Sequence, residues 1–568
     1  MKPLKTLAIA GLVLALQVTK APAAEPSAPR AEAMQDFSPR SVADWAKGAR
    51  LYGGLGSYHR KISTGSSTAQ QYFDQGMRFL WAFNHDESTR SFAHALEIDP
   101  TCAMCAWGVA LTIGPNYNLP ALAEPRAKVA FAATRRAQTL ARSGTKVEQA
   151  LIAALDRRYP SARPLDAQSA VPVLVAYASA MREVAQRYPD DLDIQTLYAE
   201  ALMNIHAWKL WQSDGTPAAG TAEIVATLEE VLRRNPVHLG ALHYYVHAVE
   251  ASPHPEKGLA AAERIRGMAP SAGHLQHMPA HIFHRVGRYE DAAEANRQGA
   301  AADRAYIAET RPLDYYPTMY ISHNYQFLAF SAAAEGREAE TLDAVRRSRE
   351  SVSDAMLKEM PGSDWFVAEL YAADVRFGRW DALLAASPPD PNLPGLAGAY
   401  LYATAVALAA TNRPAEARTR LGQLEKMASA LPSDTPAGQN ALRDVLAIGA
   451  AVATARIAHA EGRIEDELRG LQTAVEREDK LGYDEPSEWF FPVRHVLGAA
   501  LVHAGRPGQA ERVYRDDLAQ HPRDGWALFG LMQALKAQGR TGEAAVAESE
   551  FRKAWEHATI TISDSAFE

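Results

Sequence analysis

Cysteine is nearly absent from this chain: Cys102 and Cys105 are the only two in 568 residues. They stand in the order Cys-Ala-Met-Cys, and Ala106 occupies the place where a covalently attached c-type haem requires histidine. No strand–helix–strand pattern surrounds them, so a thioredoxin-like redox motif is not expected either. A local disulfide, or soft-metal ligation shared with Met104, remains. A basic run is lacking too. The formal net charge is −8, and removing Lys2, Lys5 and Lys20 makes it −11. Such a surface suits neither nucleic acid nor an anionic membrane. After the first two dozen residues there is no long apolar run, which excludes stable insertion into a bilayer.

What is present is an ordinary globular composition, 47% hydrophobic and 22% charged. Residues 1–24 differ: Lys2 and Lys5 precede LAIAGLVLALQV, and Ala21-Pro22-Ala23-Ala24 comes next with small residues. This reads as a secretory signal peptide, and its apolar run is short for a retained anchor. The mature protein is therefore expected in the periplasm or outside the cell. Residues 25–65, rich in Pro, Ala, Ser and Gly, read as an extended lead-in whose LYGGLGSYHRKIST portion packs against the first repeat. His59 there reads as a surface or lid residue.

From residue 69 the chain repeats itself. AQQYFDQGMRFLWAFNHDESTRSFAHALEIDPTC places Gly76, Ser88, Phe92, Ala95 and Pro100 at the small, small, aromatic, small and proline positions of a 34-residue helical hairpin. GRE, GRW, NRP and GRI steps close later hairpins, and 491–524 and 525–558 are two more clear repeats. The expected fold is all-α, a right-handed solenoid of helical hairpins with a concave groove. Its expected parts are a histidine-bearing array over 66–345 and a second array over 346–568.

Two consecutive 34-residue pieces, 239–272 and 273–306, match histidine for histidine. His243 and His247 hold the fifth and ninth places of the first, His277 and His281 those of the second. Eight of the 18 histidines fall between 238 and 284. At about 100° per residue, His277, His281 and His284 lie about 60°, 20° and 80° to one side of His274, and Glu250 lies about 20° from His243. A stripe of this kind suits metal ligation, because imidazoles at i and i+4 point the same way and adjacent helices pack about 8–10 Å apart; a metal-free proton-transfer or substrate-binding cluster and purely structural histidines are the other readings.

The runs FDQGMRFLWAFNHDESTRSF, CAMCAWGVALTIGPN, LHYYVHAVEASP, HLQHMPAHIFHRVGRY and GWALFGL resemble a group of exported bacterial tetratricopeptide-repeat (TPR) proteins. The resemblance covers most of the mature chain and implies a fold, not a reaction. It also implies that the second, fifth, ninth and twelfth positions of each first helix line the concave groove. Those positions hold His243, His247, Glu250, His274, His277, His281, His284 and His323 here. The Lys, Arg and Asn residues with which peptide-clamping grooves hold a carboxylate are missing from them.

The expectation is a transition metal, copper, iron or zinc, held by His243, His247, His277 and His281. Glu250, His274 and His323 are expected as catalytic groups or further ligands. Glu200, level with His247 and His281 in its own repeat, together with His284, His85 and His206, stands as a further candidate. His85, Asp86 and Glu87 also read simply as a helix cap. Tyr244, Tyr245, Trp208, Trp211, Tyr315 and Tyr316 are expected to floor a pocket for a small-molecule substrate or to serve as core. Redox chemistry is favoured over hydrolysis, and a metal-delivery protein or a scaffold for protein partners is the alternative.

Overall fold

The computed structural model describes residues 38–310 and 316–567. The signal segment 1–24 and Tyr315 lie outside the described residues. Almost everything described is helix, and the one paired ladder among the described residues joins Pro436–Ala437 to Asn440–Ala441. No described helix is long and apolar enough to cross a membrane.

The repeat consensus becomes geometry in the first hairpin, Ser67–Trp81 with His85–Ile98. Its aromatic position, Phe92, is fully buried with its ring edge against two glycines. A Cβ at Gly76 would meet that ring at 2.7 Å, and one at Gly108 at 2.4 Å. Glycine is what lets neighbouring helices close on one large ring. The same arrangement recurs in the last repeats, where Tyr514 fills the space beside Gly498 and Gly530. Hairpin turns occur at the expected steps: Gly336, Gly378 and Gly462 take positive φ, and in the NRP step Asn412 takes it at 58°. That left-handed residue ends the helix, and asparagine is the commonest substitute for glycine there.

Residues 103–190 lack the consensus yet still form helices, Ala103–Ile113, Glu124–Leu140, Lys146–Leu155 and Ala167–Arg187. A disulfide joins Cys102 to Cys105 at the start of the first of these. The lead-in contains one short helix, Val42–Ala46, and then runs extended over the first hairpin. Gln75 fixes it there by accepting from the Tyr52 amide and donating to the Arg50 carbonyl, and Arg78 donates to the Tyr58 carbonyl.

Buried apolar side chains gather into two large cores, one spanning Trp45 to Phe327 and the other Ala293 to Ala566. Two helices, Tyr289–Thr310 and Ser322–Ala334, feed both. Ala292, Ala295 and Phe327 face the first core, and Ala293, Ala300 and Leu328 face the second. The histidines lie beside this seam.

Candidate metal centre

The helix Leu239–Val249 carries His243 and His247 one turn apart and ends at Glu250, the next residue. The matching helix of the next repeat is not continuous. It runs Gly273–His277, breaks at Met278, and resumes as Pro279–Arg285. Pro279 has no N–H to give to Leu275, and the His281 amide reaches only to the Met278 carbonyl, at 3.3 Å. Despite the break, His274, His277 and His281 share one side, with ring centroids 5.6 and 4.6 Å apart in sequence order. A π-helical turn, Pro317–Ile321, then delivers Ser322–Ala334, and His323 on it reaches 4.6 Å from the His277 ring.

Hydrogen bonds point to which nitrogen carries the proton in four of the rings. His243 Nδ1 lies 2.6 Å from the Trp81 carbonyl, and His247 Nδ1 and His281 Nδ1 lie 2.9 and 2.5 Å from the two oxygens of Glu250. His277 Nδ1 lies 2.6 Å from Asn296 Oδ1, whose amide is oriented by donating Nδ2 to the Ala292 carbonyl. An oxygen that only accepts requires Nδ1–H, so a neutral ring has its Nε2 lone pair bare in all four. Yet His277 Nε2 and His281 Nε2 face each other at 2.7 Å. His247 Nε2 and His274 Nδ1 are buried with no hydrogen-bond partner at all. His243 Nε2 stands 3.1 Å from His274 Nε2.

The six imidazoles form two triads, His243, His247 and His274, then His277, His281 and His323. Within each triad the donor atoms lie within 4.8 Å of one another. Five of the six rings are buried, and His323 alone is partly exposed. Burial and neighbouring imidazoles push His243, His274 and His277 well below the ordinary histidine range. Burial pulls the other way on Glu250, but the two histidines beside it win and hold its carboxyl at about 2. His243, His274 and His277 are thus held neutral beside a single anion, Glu250.

In sequence the chain matches no family model and no curated protein. In structure it is similar to a human IFIT1 dimer with m7Gppp-AAAA, at 10% identity, covering 80% of this chain and 90% of that one with a TM-score of 0.32. It is similar also to the APC/C hetero-tetramer Cut9-Hcn1, at 12% identity, 87% and 81% coverage and a TM-score of 0.30. A likeness this loose carries nothing of those proteins' ligands to this chain.

Several sequence expectations need correction. The four histidines expected around one ion are divided, two to each triad. Glu250, expected as a catalytic group or further ligand, has both oxygens taken up by the Nδ1 atoms of His247 and His281. Glu200 stays outside the cluster: it accepts from the Asn204 amide, and burial raises its carboxyl, with Arg158 opposing. His85 begins its helix with Nδ1 on the Phe83 carbonyl and belongs to neither triad, while Asn84 provides the cap. His206 sits on a partly exposed turn and joins no group of ligand-type residues. His284 packs on Phe327 and Tyr289 and looks into a separate cleft. The triads also do not line an open groove. Tyr117, Trp208 and Tyr320 pack over His247 and His274 and close it.

Of the expected aromatics, Tyr244 is wholly buried against Trp81 and Phe83, and Tyr245 donates to Glu229. Trp211 donates to the Ala248 carbonyl. Sequence reasoning missed Phe83, whose ring stacks within 5.5 Å of both His247 and His274 from a backbone at φ 53°. Trp208 likewise holds φ 60° beside His247. Two bulky residues in the left-handed region flanking one cluster are a recognised mark of a functional site. Asn296 was missed as well, and no motif announces it.

Two further features adjoin the centre. A cleft of about 860 Å³ is lined by His284, Arg285, Tyr483, Phe490 and His521, and Arg285 donates to the Glu250 carbonyl. On the other side a row of rings leaves His274: Tyr320 at 5.1 Å, then Tyr316 at 4.7 Å, Tyr306 at 5.1 Å and Tyr52 at 6.3 Å, the last two partly exposed. Tyr316 donates its phenol to Asp303 and Tyr306 donates to Glu87, both buried carboxylates.

Proposed function

We propose that this protein binds a transition metal in its buried histidine cluster and uses it for electron-transfer chemistry on a small molecule. One observation carries the reading. Buried ring nitrogens face one another, four of the rings (His243, His247, His277 and His281) are held by an oxygen at Nδ1 on the far side, and a cation is the species that makes such an arrangement favourable. Imidazole suits copper, iron and zinc alike. The tyrosine row favours copper or iron over redox-inert zinc: rings in near contact pass an electron, and Asp303 and Glu87 are placed to take the phenolic proton. The Cys102–Cys105 disulfide supports an exported, oxidising compartment.

Elemental analysis of protein purified from its own compartment tests the reading. Stoichiometric metal is expected, and the variant His243→Ala with His277→Ala, checked for folding by circular dichroism, is expected to lose most of it. Metal-free wild-type protein that also takes up none on incubation with copper, iron or zinc salts would return the chain to the class of protein-binding scaffolds. A second reading, metal storage or delivery without turnover, is favoured by the burial of five of the six rings. The variant Tyr316→Phe separates the two. It is expected to slow reduction of the metal-loaded protein by external donors at least tenfold if the row conducts, and to leave it unchanged in a storage protein.

A further inference from the structure

We infer that the cluster is a two-ion centre, one ion in each histidine triad, with Glu250 as the strut that sets the triads in register. The inference rests on the metal-binding reading and goes beyond it in number and arrangement.

Three observations carry it. The donor sets are separate: His243, His247 and His274 form one group within 4.8 Å, His277, His281 and His323 another, and these do not merge into one larger set. What joins them is a third group, His247, Glu250 and His281, with one histidine from each triad and the carboxylate between. Those histidines point Nδ1–H at opposite oxygens of the carboxylate, at 2.9 and 2.5 Å. Their Nε2 atoms are thereby free for different ions.

The spacings within each triad agree. Two nitrogens each about 2.0 Å from one ion at a tetrahedral angle stand about 3.3 Å apart. The closest Nε2 pair in the first triad is at 3.1 Å and in the second at 2.7 Å. Each pair reaches ligand spacing by opening a few tenths of an ångström or a little more. A single ion at either pair would leave an unrelieved nitrogen in the other triad: His247 Nε2 is buried without a partner in the first, and the lone-pair clash sits in the second.

Three protein ligands leave each ion a coordination position for water, hydroxide or another small oxygen ligand. One carboxylate does not balance two divalent charges in so dry a site, so hydroxide is the class of ligand the centre calls for, and a monovalent pair needs less of it.

The test uses the full mature chain, stripped of metal, incubated with excess zinc, freed of loose ions and assayed for bound zinc. The variants His274→Ala and His323→Ala each remove one ligand from a different triad and leave both Glu250 hydrogen bonds in place. Thermal melts establish that they fold, and cobalt loading replaces zinc for absorption spectra. Two ions per wild-type chain and one in each variant are expected. One ion in the wild type overturns the two-ion inference and leaves the metal reading standing. Two ions retained by both variants also overturn it, since the second would then sit elsewhere. No bound ion in the wild type overturns the metal reading itself.

Discussion

At the residue scale everything turns on which side of each ring holds the proton. Glu250 accepts from His247 and His281 with its two oxygens. Glutamine there retains one acceptor and turns an N–H₂ toward the other ring, so Glu250→Gln is expected to weaken zinc or copper binding about 10–100-fold. Competition with a chromophoric chelator measures this, and unchanged affinity would remove Glu250 from the centre. The depressed histidines carry a pH consequence for the metal-free protein. His243, His274 and His277 are held neutral in the fold, while in the unfolded chain they titrate near the ordinary value of about 6.5. Below that pH the unfolded state takes up protons that the folded state refuses, so stability falls, by up to about 1.4 kcal/mol per pH unit for each group. Glu250 adds a loss of the same sign lower down, as pH falls from about 4.5 toward 2. Urea midpoints measured from pH 8 to pH 5 are expected to hold steady to about 6.5 and then drop. A flat profile would mean that the rings are not buried as described. The histidines were legible because the repeat period put matching residues in matching places. Phe83, Trp208 and Asn296 were not, because a strained φ and an amide on a neighbouring helix leave no trace in spacing.

At the scale of elements, the small–aromatic–small consensus was readable and structurally faithful. Phe92 between Gly76 and Gly108, and Tyr514 between Gly498 and Gly530, are one packing solution used at both ends of the described chain. Phe92→Ala leaves a void where three helices meet and is expected to cost about 3–5 kcal/mol, measured by denaturant unfolding. A loss under about 1 kcal/mol would mean that the hairpins do not depend on that ring. Helical angles for an unbroken helix gave the right face for His274, His277 and His281 but hid the break at Met278–Pro279, which lies between His277 and His281. The second triad is completed by His323, which the π-helical turn Pro317–Ile321 delivers, while His274 pairs back to the preceding repeat. Neither is visible in a 100° projection, though the proline itself stood in the sequence.

At the scale of the molecule, closure is what sequence periodicity does not show. Repeats of this kind suggest an open groove, and the loops bearing Tyr117 and Trp208, with Tyr320 from the π-helical turn, cover it instead. Contacts that cross from one repeat to another cannot be read from local periodicity. The cluster lies beside the helices shared by both cores, so bound metal is expected to tighten that seam. Hydrogen exchange on addition of zinc is expected to slow over 239–285 and 319–334 far more than over 394–475. Equal protection along the whole chain would point to a general effect, not to this site.

The most direct measurement is X-ray absorption at the edge of whichever metal the purified protein carries. The expected result is a first shell of nitrogen at about 2.0–2.1 Å for zinc, with the multiple-scattering pattern of three imidazoles per ion, and loss of that pattern in the variant His243→Ala with His277→Ala. A shell dominated by sulfur or carboxylate oxygen, or an imidazole pattern that survives this variant, would contradict it.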